Sequence, residues 1–130
     1  MLIRTLIILG LMATGASAES VEAGRQIFLQ NCATCHGING RGDGPMTGAL
    51  ATQPPDLTRL TANNEGVFPM VRVVFRIDGR DPITSHGGPM PMFGHMLDGR
   101  SAALDAEDGT PILTSEMMVD LVSYLQTMQR

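Results

Sequence analysis

Apolar side chains recur at three- and four-residue steps in three separated stretches of the chain, and between them the pattern dissolves into glycine, proline and polar residues. In VEAGRQIFLQN, residues 21–31, Val21, Gly24, Ile27, Phe28 and Asn31 share one helical face, with Ser20 available as N-cap and Glu22 in the first turn. The spacing predicts a helix that runs directly into Cys32. The stretch GVFPMVRVVFRI, residues 66–77, is rich in β-branched residues and could form a strand. Phe68, Val71, Val74, Phe75 and Asp78 nevertheless keep helical spacing, and Pro69 suits the first helical position, so a helix is the better prediction. A final helix is predicted over SEMMVDLVSYLQTMQ, capped by Thr114, with Met118, Leu121, Val122 and Leu125 on one face. Residues 37–57 and 78–94 hold too many glycines and prolines for an uninterrupted element and are read as loop, with short helical turns possible near Leu50 or over 57–63. No internal repeat appears, and no linker is long enough to separate two domains.

The first eighteen residues, MLIRTLIILGLMATGASA, follow another pattern: Arg4 in a short n-region, an apolar run from Leu6 to Ala13, then small residues at Ala16 and Ala18. This is the form of a secretory signal peptide cleaved after Ala18, which leaves one domain over residues 19–130. The run is shorter than the roughly 20 residues a membrane span needs, and no cysteine follows it to carry a lipid, so stable membrane insertion after cleavage is not expected. An exported, periplasmic protein is. Cleavage would remove Arg4 and take the formal charge from -4 to -5. An acidic chain with no lysine does not suit non-specific nucleic-acid binding, which rests on neutralising phosphates. Ten methionines, fifteen glycines and eight prolines in 130 residues suggest a small fold organised around a bound cofactor.

The candidate chemistry lies in CATCHG, residues 32–37, which holds both cysteines of the chain. Cys32, Cys35 and His36 stand at i, i+3 and i+4, so in a helical turn two thiols and an imidazole face one side. That arrangement lets two cysteines form thioethers with a haem while the histidine reaches its iron, and CxxCH is the sequence form of such attachment. A zinc site would need further ligands at close spacing, and His86 and His95 are distant and single. A redox dithiol should follow a strand, whereas this motif follows a helix. A disulfide across CxxC closes too short a loop to stabilise much.

Histidine alone leaves an iron coordination position open, whereas a methionine would fill it and raise the reduction potential. The loop SHGGPMPMFGHMLDG offers Met90, Met92, Met96, His86 and His95. Pro89 and Pro91 stiffen the backbone around Met90, and the glycines would let the loop lie close to a flat ring. The glycine series GINGRGDG lacks the strand and spacing of a nucleotide-binding loop, and its Arg-Gly-Asp tripeptide is ascribed to coincidence. Arg72, Arg76, Arg80 and Arg100 could pair with haem propionates or simply face solvent.

The helix carrying Gly24 and Phe28 into CATCHG, the stretches GRGDGP and PPDLT, the loop MPMFG and the final helix ending in LVSYL together resemble the class I c-type cytochromes over nearly all of the mature chain. The resemblance implies an all-α small cytochrome c fold, three to five helices around one covalently bound haem c, with N- and C-terminal helices crossing through Gly24 and Phe28 against Tyr124 and Leu125. It implies Cys32 and Cys35 as thioether residues, His36 as proximal ligand and Met90 as distal ligand, with Met92 and Met96 behind it. It also implies that a proline carbonyl, assigned to Pro45, orients His36. The function implied is one-electron transfer, not catalysis, between redox proteins such as a dehydrogenase and a terminal oxidase. Two alternatives remain: a haem subunit of a dehydrogenase or oxidase complex, and a peroxidase-like or gas-sensing protein with a displaceable distal ligand.

Overall fold

A computed structural model describes residues 20–81 and 90–130 of the chain. The expected signal peptide, together with Ser85 to Pro89 of the methionine loop and His86 within it, lies outside the described residues. No helix among the described residues is long and apolar enough to cross a membrane.

The first helix, α1 (Val21–Asn31), begins where predicted. The Ser20 hydroxyl accepts a hydrogen bond from the Ala23 N–H, satisfying one of the amides that a helix start leaves open, and Gly24, Ile27 and Phe28 are buried. Cys32 ends α1 but donates its N–H to the Phe28 carbonyl at 2.8 Å, so the chain passes almost straight into the single turn α2 (Ala33–His36). Gly37 then stops that turn with φ 78. Three isolated 3-10 turns, Thr47–Ala49, Leu57–Arg59 and Ala62–Asn64, punctuate the long loop that follows.

Residues Met70–Asp78 form α3, closed by Gly79 in the left-handed conformation. Helix, not strand, is therefore correct for this stretch, but two details differ from the sequence reading. Pro69 is the N-cap instead of the first helical residue, and the buried face is Val73, Val74 and Ile77. Phe68, Val71 and Phe75, expected to carry that face, are half-buried at its edge.

An antiparallel hairpin not anticipated from the sequence precedes the last helix. Strands β1 (Ser101–Asp105) and β2 (Pro111–Ser115) pair with Ala103 opposite Leu113 and Leu104 opposite Ile112. Its turn closes with the Ala106 N–H on the Thr110 carbonyl and Gly109 at φ 83, the three-residue loop with a left-handed closing residue that suits a twisted hairpin. Leu104 and Ile112 point into the core while Ala103 and Leu113 face outward. Ser115 then caps α4 (Glu116–Thr127) by accepting from the Met118 N–H and donating to the Leu97 carbonyl. Thr114, expected in that role, is one residue too early. Met118, Leu121, Val122 and Leu125 are buried as predicted.

The four helices of the described residues are organised by the crossing of α1 and α4. An atom at a Cβ position on Gly24 would stand 1.9 Å from the Asp120 carbonyl oxygen and 3.0 Å from the Leu121 nitrogen, so the two backbones touch there. One turn further on, the rings of Phe28 and Tyr124 meet with centroids 5.5 Å apart and planes tilted by 54°. The Ser20 N–H also reaches the Asp120 carboxylate at 2.8 Å. The crossing expected from the resemblance is thus present, with Asp120 and Leu121 backbone, not Leu125, as the surface Gly24 meets.

Candidate haem site

The rigid crossing of α1 and α4 fixes the direction in which α2 leaves the core, and α2 carries all three residues of the motif. The His36 N–H bonds the Cys32 carbonyl at 2.9 Å and the Cys35 N–H bonds the same oxygen at 3.2 Å, so the helical turn assumed from the spacing exists. Both cysteines are free thiols, half-buried. Burial, with a smaller contribution from Cys35, pushes the Cys32 thiol up to about 11. A dithiol built for exchange needs the opposite shift, because the thiolate is the nucleophile. The electrostatics therefore argue against the redox-dithiol alternative.

His36 is buried, at 7% exposure, and burial holds its imidazole below the usual histidine range, in the neutral form that can ligate a metal. The Pro55 backbone carbonyl opposes this shift, but Nδ1 has no partner within hydrogen-bonding geometry, so the carbonyl acts as a nearby dipole instead of a made bond. Among the described residues this is the one buried side-chain nitrogen or oxygen left unpartnered. The proline whose carbonyl acts on His36 is thus Pro55, not Pro45 as expected.

The loop after the motif is folded hard against it. The Gly42 N–H donates to the His36 carbonyl at 2.8 Å, and the Gly44 N–H to the Cys35 carbonyl at 3.2 Å. A Cβ on Gly44 would stand 2.4 Å from the Thr34 oxygen, and one on Gly42 would stand 2.2 Å from the Pro54 oxygen. The Thr47 hydroxyl and the Gln53 amide both donate to the Gly42 carbonyl, at 3.2 and 2.7 Å. These glycines, read from sequence as loop, are needed so that backbone can pack on backbone under the histidine.

On the other side, the Phe93 N–H bonds the Ile77 carbonyl at 2.7 Å and holds the methionine loop to the end of α3. Met90 is half-buried and packs against the core. Met92 and Met96 are 50% and 49% exposed, and His95 is exposed. Of the arginines considered for propionates, Arg76 pairs with Asp81 at 2.9 Å and Arg100 with Glu116 at 2.8 Å. Arg80 bonds Asp78 at 2.6 Å and covers the Phe75 ring. Arg72 is exposed. Three of the four therefore already hold carboxylates.

Two free thiols and a neutral, buried imidazole on one turn, under a helix crossing sealed by a glycine, define a helical protein built to carry a covalently attached haem. The sequence profile of the family described as Cytochrome c matches residues 21–129, and the chain belongs to that family: it is a haem-binding electron-transfer protein. No curated protein and no solved structure matches the chain.

Proposed function

We propose that this chain is an exported, single-haem electron carrier whose iron is held by His36 and Met90, with Cys32 and Cys35 as the thioether residues. The supporting observation is the difference among the three methionines: Met90 is half-buried and packs against the core, whereas Met92 and Met96 are 50% and 49% exposed. Haem c supplies reversible one-electron exchange at its iron. The chain's part is to hold and tune it. Cys32 and Cys35, one turn apart, fix the ring; His36, neutral through burial, offers a lone pair; and the Pro55 carbonyl is the acceptor available to its unpartnered Nδ1, a contact that would raise ligand basicity. A Met90 thioether would serve as the second protein ligand to the iron, raising the potential and leaving no place for small ligands. Export rests on the N-terminal sequence pattern, and the acidic charge suits redox partners with a basic docking face.

Absorption spectra of the purified holoprotein in both redox states test this reading. The ferric form should show the red charge-transfer band of a thioether ligand, and the ferrous form should not bind carbon monoxide. Met90→Ala should remove the band and open the iron to carbon monoxide, while Met92→Leu and Met96→Leu should leave both unchanged. Rapid carbon monoxide binding by the unmodified protein would instead favour a gas-binding or peroxidase-like site.

A further inference from the structure

Pro55 has no N–H, and Pro54 before it has none, so the carbonyl that acts on His36 is not fixed by any bond the pair donates. Its neighbours must hold it. On one side the Pro55 oxygen lies 3.2 Å from where a Cβ on Gly42 would stand, and the Gly42 N–H is bonded to the His36 carbonyl. On the other side the chain enters the 3-10 turn Leu57–Arg59, where the Leu57 N–H donates to the Gly40 carbonyl at 2.7 Å. The rest of that turn is tied to two residues beyond α4.

Gln129 spans the segment. Its Nε2 donates to the Leu57 carbonyl at 2.8 Å and, at the same distance, to the Leu125 carbonyl within α4. Its Oε1 accepts from the Thr61 N–H at 3.0 Å. Arg130 grips the middle: its N–H donates to the Thr58 carbonyl at 3.0 Å, its Nε to the Thr58 hydroxyl at 2.7 Å and its Nη2 to the Asp56 carboxylate at 3.2 Å. Thr58 is 5% exposed, and its hydroxyl donates in turn to Asp56 Oδ1 at 2.6 Å. Asp56 directly follows Pro55. The same helix therefore governs both partners of the site. Through its crossing at Gly24, α4 fixes α1 and hence the turn that carries His36; through Gln129 and Arg130 it fixes the segment that carries the Pro55 carbonyl.

We infer that Gln129 and Arg130 are positioning residues for the haem site: they hold the Pro55 carbonyl where the His36 Nδ1–H can donate to it, and so help to set the reduction potential. A hydrogen bond at Nδ1 makes the imidazole a more basic ligand, which favours the ferric state; weakening the bond raises the potential. The inference rests on the reading that His36 ligates the haem iron.

Reduction potentials of the holoproteins, measured by spectroelectrochemical titration, test it. Gln129→Leu changes no charge but removes the donor to Leu57 and the acceptor for Thr61. It should raise the potential by the equivalent of at least about threefold in the ferric-to-ferrous ratio, which is about 28 mV at about 59 mV per tenfold for one electron. Arg130→Lys keeps the charge but not the guanidinium fork, and should move the potential the same way by less. In proton magnetic resonance spectra of the ferrous holoprotein, the His36 Nδ1 proton should exchange with water faster in both variants. Gly109→Ala is the control: it strains the hairpin turn with no atom within 4 Å of the added carbon, so stability should fall while potential and exchange stay put. A potential unmoved in Gln129→Leu, or moved as far in Gly109→Ala, would overturn the inference. Should Gln129→Leu fail to retain haem, Arg130→Lys decides by the same comparison. The His36 resonances of the unmodified protein separate the two failures. If they carry the large ring-current shifts of an axial ligand while the potential does not respond, the clamp alone is wrong; if they lack those shifts, His36 is not the ligand and the clamp falls with that reading.

Discussion

Replacing Gly24 by alanine adds one methyl group where the structure has least room for it. Its carbon would stand 1.9 Å from the Asp120 oxygen, 2.5 Å from the Asp120 carbonyl carbon and 3.0 Å from the Leu121 nitrogen. Carbon and oxygen of this kind normally stay about 3.3 Å apart or more, so relief needs a separation of over about 1 Å. All three atoms are backbone within α4, and no rotamer change moves them. The helices must part, which loosens the Phe28 and Tyr124 ring contact one turn away, itself contributing about 0.5–1.5 kcal/mol. Overpacking costs about 1–3 kcal/mol where side chains can yield, and more is expected where only backbone can. Against this stands a helix-propensity gain of about 1 kcal/mol for alanine over glycine. A net loss of about 2 kcal/mol or more should lower the midpoint of thermal unfolding by roughly 8 °C for a domain of this size. The assay is thermal unfolding of ferric holoprotein followed by far-ultraviolet dichroism. Gly48→Ala is the control, since nothing lies within 4 Å of its Cβ position, and it should change stability by no more than about 1 kcal/mol. A Gly24→Ala midpoint within about 3 °C of the parent would refute the close crossing.

Three further outcomes are expected. Gly44→Ala places a Cβ 2.4 Å from the Thr34 oxygen and 2.6 Å from the Cys35 carbonyl carbon, so it should push the loop off the CATCH turn at a cost of about 1–3 kcal/mol and lower the haem-to-protein absorbance ratio of purified material. Gly109→Ala meets no atom within 4 Å but must adopt φ 83, so only the conformational cost of about 1–2 kcal/mol should appear in urea unfolding. The Asp56 carboxyl is held below its ordinary value chiefly by the Thr58 hydroxyl, with the Thr58 N–H and Arg130 assisting. A depressed carboxyl stabilises the fold above its unfolded pKa and loses that contribution as pH falls; Asp56→Ala should therefore lower the urea midpoint near neutrality and converge with the parent in acid.

The helices were legible because each buries one continuous stripe against a partner the sequence also contains, as Gly24 and Phe28 do against α4. Their caps shifted by one residue, at Pro69 and at Ser115, because neighbouring Thr114 and Ser115 offer the same hydroxyl and only the fold decides which one reaches the Met118 amide. The hairpin was not legible. Each strand buries a single strong apolar residue, Leu104 or Ile112, and Ala102 and Ala103 give no contrast between the two faces, so the period-two signal is nearly absent. Only Asp108 and Gly109 marked the turn. Missing the hairpin also misplaced the face of α3: Val71 and Phe75 line a groove shared with Ile112 and Leu113, and no partner for them was visible in the sequence.

The two sides of the haem site differed in legibility for one physical reason, the distance along the chain over which geometry must be known. Cys32, Cys35 and His36 share one turn, and helical spacing alone orients them. The proline beside His36 depends on how a glycine loop closes: the tight contact of Gly42 with the Pro54 carbonyl draws Pro55, not Pro45, to the imidazole. The methionine loop depends on still more distant contacts. Pro89, Pro91 and the resemblance set Met90 apart in the sequence, but the packing of Met92 and Met96 was not legible, because it depends on the hydrogen bond from Phe93 to Ile77 and on the bare backbone of Gly79, which takes the Met92 sulfur. Those contacts, made at the end of α3 far along the chain from the cysteines, leave Met90 against the core and Met92 and Met96 about half exposed.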